Sequence, residues 1–273
     1  MQFEFSSRSA VVYHSLTLRV MACALIALLV PQAKAEEQAK PAQIRVAIYD
    51  DAGGSAKGPP SCERCLPQGK GFAVKRVKAA DIRAGELANF DVLIQPGGSG
   101  SGQAKALAKE GRDEVRKFVD QGGGYLGICA GAYLASADYE WSLGLLDAKV
   151  LDRQHWARGR GDVLLRLTQP GRAMWSEKQD LVTVLYHQGP LLAPAGKAEI
   201  PDYEQLASFE TEIALKGAPT GVMKGTTAAA RGSFGKGRVF CFSPHPEQTE
   251  GLDHFIVAAV RWAAAKKALP AIE

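Results

Sequence analysis

The 273-residue chain has little net charge, few cysteines and no apolar run long enough to span a bilayer. Each shortage excludes a class of protein. A formal charge of +4, from 33 basic and 29 acidic residues, leaves no electrostatic footprint for nucleic acid. The apolar run from Val20 to Val30 covers only about half of a ~30 Å hydrocarbon core as a helix, which argues against a permanent transmembrane anchor. No internal repeat is present, and no low-complexity block beyond a short N-terminal tether.

What the N-terminus does have is the order of a secretory signal peptide. Arg8 and Arg19 precede the apolar run, and Pro31 and then Ala33-Lys34-Ala35 follow it. The pattern predicts cleavage after Ala35 and a periplasmic or secreted protein with no stable membrane anchor; an uncleaved anchor or a misplaced start is the alternative. Cys23 precedes most of the apolar run, where a lipoprotein cysteine would follow it. Removing three basic residues (Arg8, Arg19, Lys34) and one acidic (Glu4) leaves 30 and 28, a charge of +2 on 238 residues. That length fits one α/β domain. Residues 36–42 read as the tether and residues 43–268 as the domain. Four cysteines remain, Cys62, Cys65, Cys129 and Cys241, too few for a disulfide scaffold.

The domain reads as strands alternating with helices. Ile44 to Tyr49, Phe72 to Val77 and Asp91 to Gln95 are strand runs, and the third stops at Pro96-Gly97-Gly98-Ser99-Gly100-Ser101-Gly102. A helix follows from Gln103 to Gln121, with Gly111 expected to break or kink it. Tyr125 to Ile128 is a short strand leading into a helix-forming segment. Alternation of this kind implies a doubly wound, mostly parallel sheet with helices on both faces. Leu145 to Leu151, Val163 to Thr168 and Leu181 to Tyr186 are further strand runs. Thr227 to Gly232 and Arg238 to Phe242 form a late β-hairpin around Ser233 to Gly237, and Gly251 to Lys267 is the final amphipathic helix.

Gly127-Ile128-Cys129-Ala130-Gly131 places a cysteine between two glycines where a strand turns into a helix, the arrangement of a nucleophile elbow. The helix N-terminus aims N–H groups at the sulfur and offers the Ala130 amide to an oxyanion. Taken alone, such a cysteine reads equally well as a small buried hydrophobe. A second motif shifts that balance: Cys241-Phe242-Ser243-Pro244-His245-Pro246-Glu247 follows a strand. His245 is suited to act as base and Glu247 to fix its tautomer.

These two motifs, in this order, resemble the class I glutamine amidotransferase-like superfamily. The segment Gly122 to Tyr133 is similar to the N-terminal domain of biotin-protein ligases and to free-standing bacterial relatives, as are Pro96-Gly97-Gly98 and Tyr186-His187-Gln188-Gly189-Pro190. The resemblance runs from Ile44 to Trp262 and implies a flavodoxin-like fold. It implies Cys129 as nucleophile, His245 as base, Glu247 as orienter and Gly98, beside Gly97, as the second oxyanion donor. Tyr133 and His187 become pocket candidates by the same analogy. Tyr133 stands where glutaminases usually carry Gln or His, a departure that argues against glutamine itself. Neither a synthetase domain nor a biotin-ligase catalytic domain is recognisable. The expectation is a cysteine amidase with a small-molecule substrate and neither cofactor nor metal, the rival being a non-catalytic metabolite- or partner-binding protein of the same fold.

Other features have plainer readings. Cys62-Glu63-Arg64-Cys65 offers two zinc ligands where about four are needed, and after export a local disulfide bracing a Pro59-Pro60 loop is the favoured reading over metal or a redox pair. Asp50 and Asp51 end the first strand, where capping is the common role. Arg153, His155, Arg158 and Arg160 form a basic cluster read as a solvated face in preference to an anion site. Cys241 is read as core packing.

Overall fold

The computed structural model describes residues 43–265. The expected signal peptide, the tether and the last residues of the domain lie outside them. Along the first half run β1 (Ile44–Tyr49), α1 (Gly58–Cys65), β2 (Phe72–Val77), α2 (Ala79–Arg83), β3 (Val92–Gln95), α3 (Gly100–Asp120), β4 (Gly124–Ile128) and α4 (Ala130–Ala135). The second half holds β5 (Ala148–Val150), β6 (Arg160–Leu167), α5 (Gln169–Trp175), β7 (Leu181–His187), β8 (Leu192–Pro194), β9 (Glu204–Phe209), β10 (Thr227–Phe234), β11 (Gly237–Phe242) and α6 (Asp253–Ala264).

All eleven strands join one sheet, with β2-β1-β3-β4-β11-β10-β9-β6-β7 as its main path. From β2 to β11 every pairing is parallel. From β11 to β7 every pairing is antiparallel. The core is thus the doubly wound parallel sheet expected from sequence, and the antiparallel part extends well beyond a single hairpin. In β1, Val46 and Ile48 pack into one core while Ala47 and Tyr49 pack into the other. Alternating residues bury both faces, which is why these strands read as continuous apolar runs. The first layer includes Phe255, Ile256 and Val260 of α6, and the second Leu107, Val115 and Val119 of α3. Among the described residues no helix is long and apolar enough to cross a membrane.

Several elements differ from the sequence expectation. The Pro59-Pro60 segment is helical, because prolines at the first helical positions forfeit only N–H groups that lack intrahelical partners. The interruption in α3 falls at Ala108 (φ 56°, ψ −172°), not at Gly111. Gly111 serves close approach instead: a Cβ there would lie 3.2 Å from Arg83 Cγ and 3.2 Å from Leu107 Cβ. Only Ala148–Val150 of the Leu145 to Leu151 run is a strand. The hairpin turn is Gly235-Lys236 alone, with Phe234 paired to Gly237 and Gly235 at φ 54°.

Candidate active site

The central strand β4 lies between β3 and β11, and Cys129 sits at its carboxyl end. Ligands of open α/β sheets bind at such ends. The chain turns there with Cys129 at φ 52°, ψ −100°, a region costly for any residue with a side chain. Its flanking glycines explain why the turn is sterically possible. A Cβ on Gly127 would stand 2.5 Å from the Gly131 carbonyl oxygen, and one on Gly131 would stand 1.9 Å from the Gln95 oxygen. The elbow is therefore wedged between β3 and α4 with no room for two methyl groups.

Because β11 runs parallel to β4 with Phe242 opposite Ile128, the loop that follows β11 emerges beside the elbow. That loop is fastened to β7: the His245 amide donates to the Leu185 carbonyl at 2.8 Å, and Thr249 Oγ1 accepts from the Leu185 amide and donates to the His245 carbonyl. His245 and Cys129 flank Gly97, since a methyl there would lie 2.9 Å from His245 Cε1 and 3.7 Å from Cys129 Cβ. His245 Nδ1 is 2.8 Å from Glu247 Oε1, which also accepts from Gln248 Nε2 at 2.9 Å. Glu247 is completely buried, and Arg64 donates to its carbonyl oxygen while pairing with Asp253.

Electrostatics tie this group together. Burial works against a charge on His245, but the negative ends of Cys129 and Glu247 outweigh it and hold the imidazole well above its ordinary range. His245 Nε2 is buried without a hydrogen-bond partner, and Cys129 Sγ lies 3.4 Å from the His187 carbonyl oxygen, to which it donates. The His245 imidazole thus presents Nδ1 to the Glu247 carboxylate, and the ring also feels the Cys129 sulfur. On the opposite side, the Gly98 and Ala130 amides donate to no backbone acceptor among the described residues. Gly98 takes φ 144°, and a Cβ there would meet the Gly53 oxygen at 2.1 Å.

Above the elbow opens a cleft of about 610 Å³. Cys129, His245, Gly98, Tyr133 and His187 all line it, so most of the residues expected from sequence meet in one place. Tyr133 is nearly buried, its hydroxyl donating to the Gln188 carbonyl at 3.3 Å. His187 stands 6.3 Å from His245, ring to ring. Partial burial, then the positive charges of His245, Arg160, Lys216 and Lys57, lower its pKa.

Four readings from sequence are resolved or revised. Cys62 and Cys65 are free thiols on one face of α1 and do not form the loop brace. Cys65 Sγ donates to Asp253 Oδ1 at 3.4 Å, and burial followed by Asp253 pushes its pKa up to about 12; burial and then Glu247 hold the Cys62 thiol well above its ordinary range. Asp51 does cap, accepting from the Ala79 amide at the start of α2, whereas Asp50 pairs with Arg76. The basic cluster divides: Arg158 is buried against Asp152 and His155 also pairs with Asp152, whereas Arg153 and Arg160 are exposed, as read from sequence, and line the cleft. Cys241 is core, as expected. The sequence reading missed the aromatic wall of Tyr139, Trp141 and Trp156, and the only available sign was the interleaving of aromatic and basic residues between 139 and 160.

Comparison with known families now bears on the elbow. Residues 44–157 match the family described as biotin-protein ligase, N terminal. The biotin-protein ligase N-terminal match takes in Gly97, Gly98 and the Cys129 elbow and stops before His187, His245 and Glu247. The fold is α/β, a doubly wound, mostly parallel sheet extended by antiparallel strands. Among solved structures, a ThuA-like protein from Bacteroides uniformis overlays with a TM-score of 0.56 at 16% identity, over 82% of this chain and 92% of its own. One from Parabacteroides merdae gives 0.56 at 10% identity, over 84% and 94%. A cytoplasmic protein from Salmonella typhimurium gives 0.50 at 13% identity, over 82% and 100%. At these identities the likeness is one of fold. No curated protein matches the chain.

Proposed function

We propose that the protein is an exported cysteine amidase in which Cys129 attacks, His245 moves the proton and Glu247 holds the imidazole. The observation that carries this reading is the elbow cysteine standing across Gly97 from a buried imidazole whose other nitrogen is bound to a carboxylate. With Nδ1 bonded to Glu247, Nε2 is the nitrogen left for chemistry. Cys129 Sγ would bond to the amide carbonyl carbon, its proton passing to His245, while the Gly98 and Ala130 amides meet the developing oxyanion. The C–N bond then breaks as His245 returns the proton to the leaving nitrogen. Water, losing a proton to His245, hydrolyses the thioester, releases the acid and restores the thiol.

The reading is tested by the rate of Cys129 alkylation with iodoacetamide against pH, beside His245→Ala and Glu247→Ala. Labelling at mildly acid pH several-fold faster than that of a cysteine in an unstructured peptide, and lost in both variants, is the expected result. A thiol that labels no faster than the peptide overturns the amidase. The second reading, a non-catalytic binding protein, is favoured by the hydrogen bond of Cys129 Sγ to the His187 carbonyl, which gives the thiol an acceptor other than His245. The export component is tested separately, by sequencing the N-terminus of protein recovered from a secreting host. Recovery beginning at Glu36 is expected, and an intact N-terminus overturns it.

A further inference from the structure

The wall of the cleft is uniformly cationic. Lys57, Arg153 and Arg160 line it, and none of its lining residues is acidic. Lys57 and Arg160 form no ion pair among the described residues, and Arg153 reaches only Asp138, at 3.7 Å. Surface cations usually find carboxylate neighbours, as Arg76, Arg166 and Arg231 do here. Two cations without ion-pair partners in a concave wall focus a field that attracts an anion. Arg160 is opposite His187 in the β6–β7 pairing, which places its positive charge at the rim nearest the acid–base pair.

The same wall carries a flat apolar surface. Tyr139 and Trp141 stack with centroids 4.5 Å apart and planes at 16°, and the Arg153 guanidinium lies 4.2 Å over the Tyr139 ring. Trp156 also lines the cleft and is 54% exposed, unusual for the largest apolar side chain. An Arg held on an aromatic face keeps its outer N–H fork free for a carboxylate. A cationic fork, a planar wall and a lining without acidic residues together select a ligand with a carboxylate and a flat or apolar part, and select against an ammonium group.

We infer that the substrate class of this site is the N-acyl amino acids, their carboxylate held by Arg153 and Arg160 and their acyl group laid on Tyr139, Trp141 and Trp156. The inference rests on the amidase reading for turnover but not for binding. It excludes free glutamine, whose ammonium would face Lys57 and the two arginines without an acidic partner.

The test uses hippurate, an N-acyl glycine with an aromatic ring, and reads the fluorescence of Trp141 and Trp156 in the full chain carrying Cys129→Ser, so that no turnover occurs. Hippurate is expected to bind roughly tenfold more tightly than its neutral methyl ester, and free glutamine not at all. The preference should shrink as salt rises from 50 to 500 mM, a readout that needs no further variant. Arg153→Gln with Arg160→Gln should bring hippurate down to the ester while leaving the ester unchanged. Equal binding of acid and ester, glutamine binding as well as hippurate, or no saturation by hippurate in the millimolar range each overturns the assignment. If Cys129 proves unreactive yet the acid-over-ester preference holds, the amidase fails and the ligand class stands.

Discussion

The two halves of the sheet divide the labour of the site differently. The parallel half, β2 to β11, contributes backbone geometry: a strained elbow, a glycine-lined turn and two unpaired amides, all fixed to within a fraction of an ångström by contacts such as Gly131 against Gln95. The antiparallel half contributes side chains that stand free, His187 and Arg160 at facing strand ends, with the aromatic wall in the loops leading to them. Chemistry that needs a fixed geometry resides in tightly packed backbone. Recognition resides where side chains have room to vary.

The sharpest break in that comparison is Cys129→Ala, which should abolish hydrolysis, roughly a thousandfold or more, while leaving thermal unfolding close to wild type. Gly131→Ala should cost roughly 3 kcal/mol or more in chemical denaturation, because its methyl would meet the Gln95 oxygen at 1.9 Å. Its counterpart in the antiparallel half, Gly161→Ala, meets only the end of the Ile213 side chain at 3.3 Å and should cost about 1 kcal/mol or less. Equal losses at the two glycines would erase the distinction between the halves.

Glu247→Gln should slow turnover roughly a hundredfold and lower the pKa of His245, seen by NMR titration of its ring. The sign for stability follows. His245 titrates in the folded protein above its ordinary 6.5, so its stabilising contribution is complete below that value and is lost as pH rises through the folded pKa. The variant should therefore lose this contribution at a lower pH than wild type, and a variant with the same alkaline profile would refute the coupling. The smallest effect is expected from Arg160→Gln. Burial is the main cause of the low His187 pKa and the Arg160 charge a lesser one, so the pKa should move back toward its ordinary value only slightly, without loss of stability.

The same division governs how much was legible in the sequence. β1, β3, β4 and the elbow could be read almost to the residue, because buried parallel strands are continuous apolar runs and the elbow demands glycine at two set positions. His245 and Glu247 were legible from their spacing in one loop. α1, α5 and β9 were not: α1 begins with two prolines that read as a loop, and β9 (Glu204–Phe209) is half polar because it lies in the antiparallel part. The place of Arg153 and Arg160 in the cleft and the aromatic wall were missed, since only the folded chain brings the segment from 139 to 160 over the elbow. The segment holding Cys62 and Cys65 was read as a loop, whereas it is a helix with both thiols free and the Cys65 thiol held by Asp253.

The insertion of β11 between β4 and β10 also orders events in time. Cys129 directly follows β4, whereas His245 rides on a loop that cannot dock until β11, made more than a hundred residues later, has paired along β4. A nascent chain therefore displays the thiol before His245 arrives, and the contact between them is among the late long-range contacts to close. Under the proposed reading, reactivity waits on that late pairing, which keeps a half-made chain from acting.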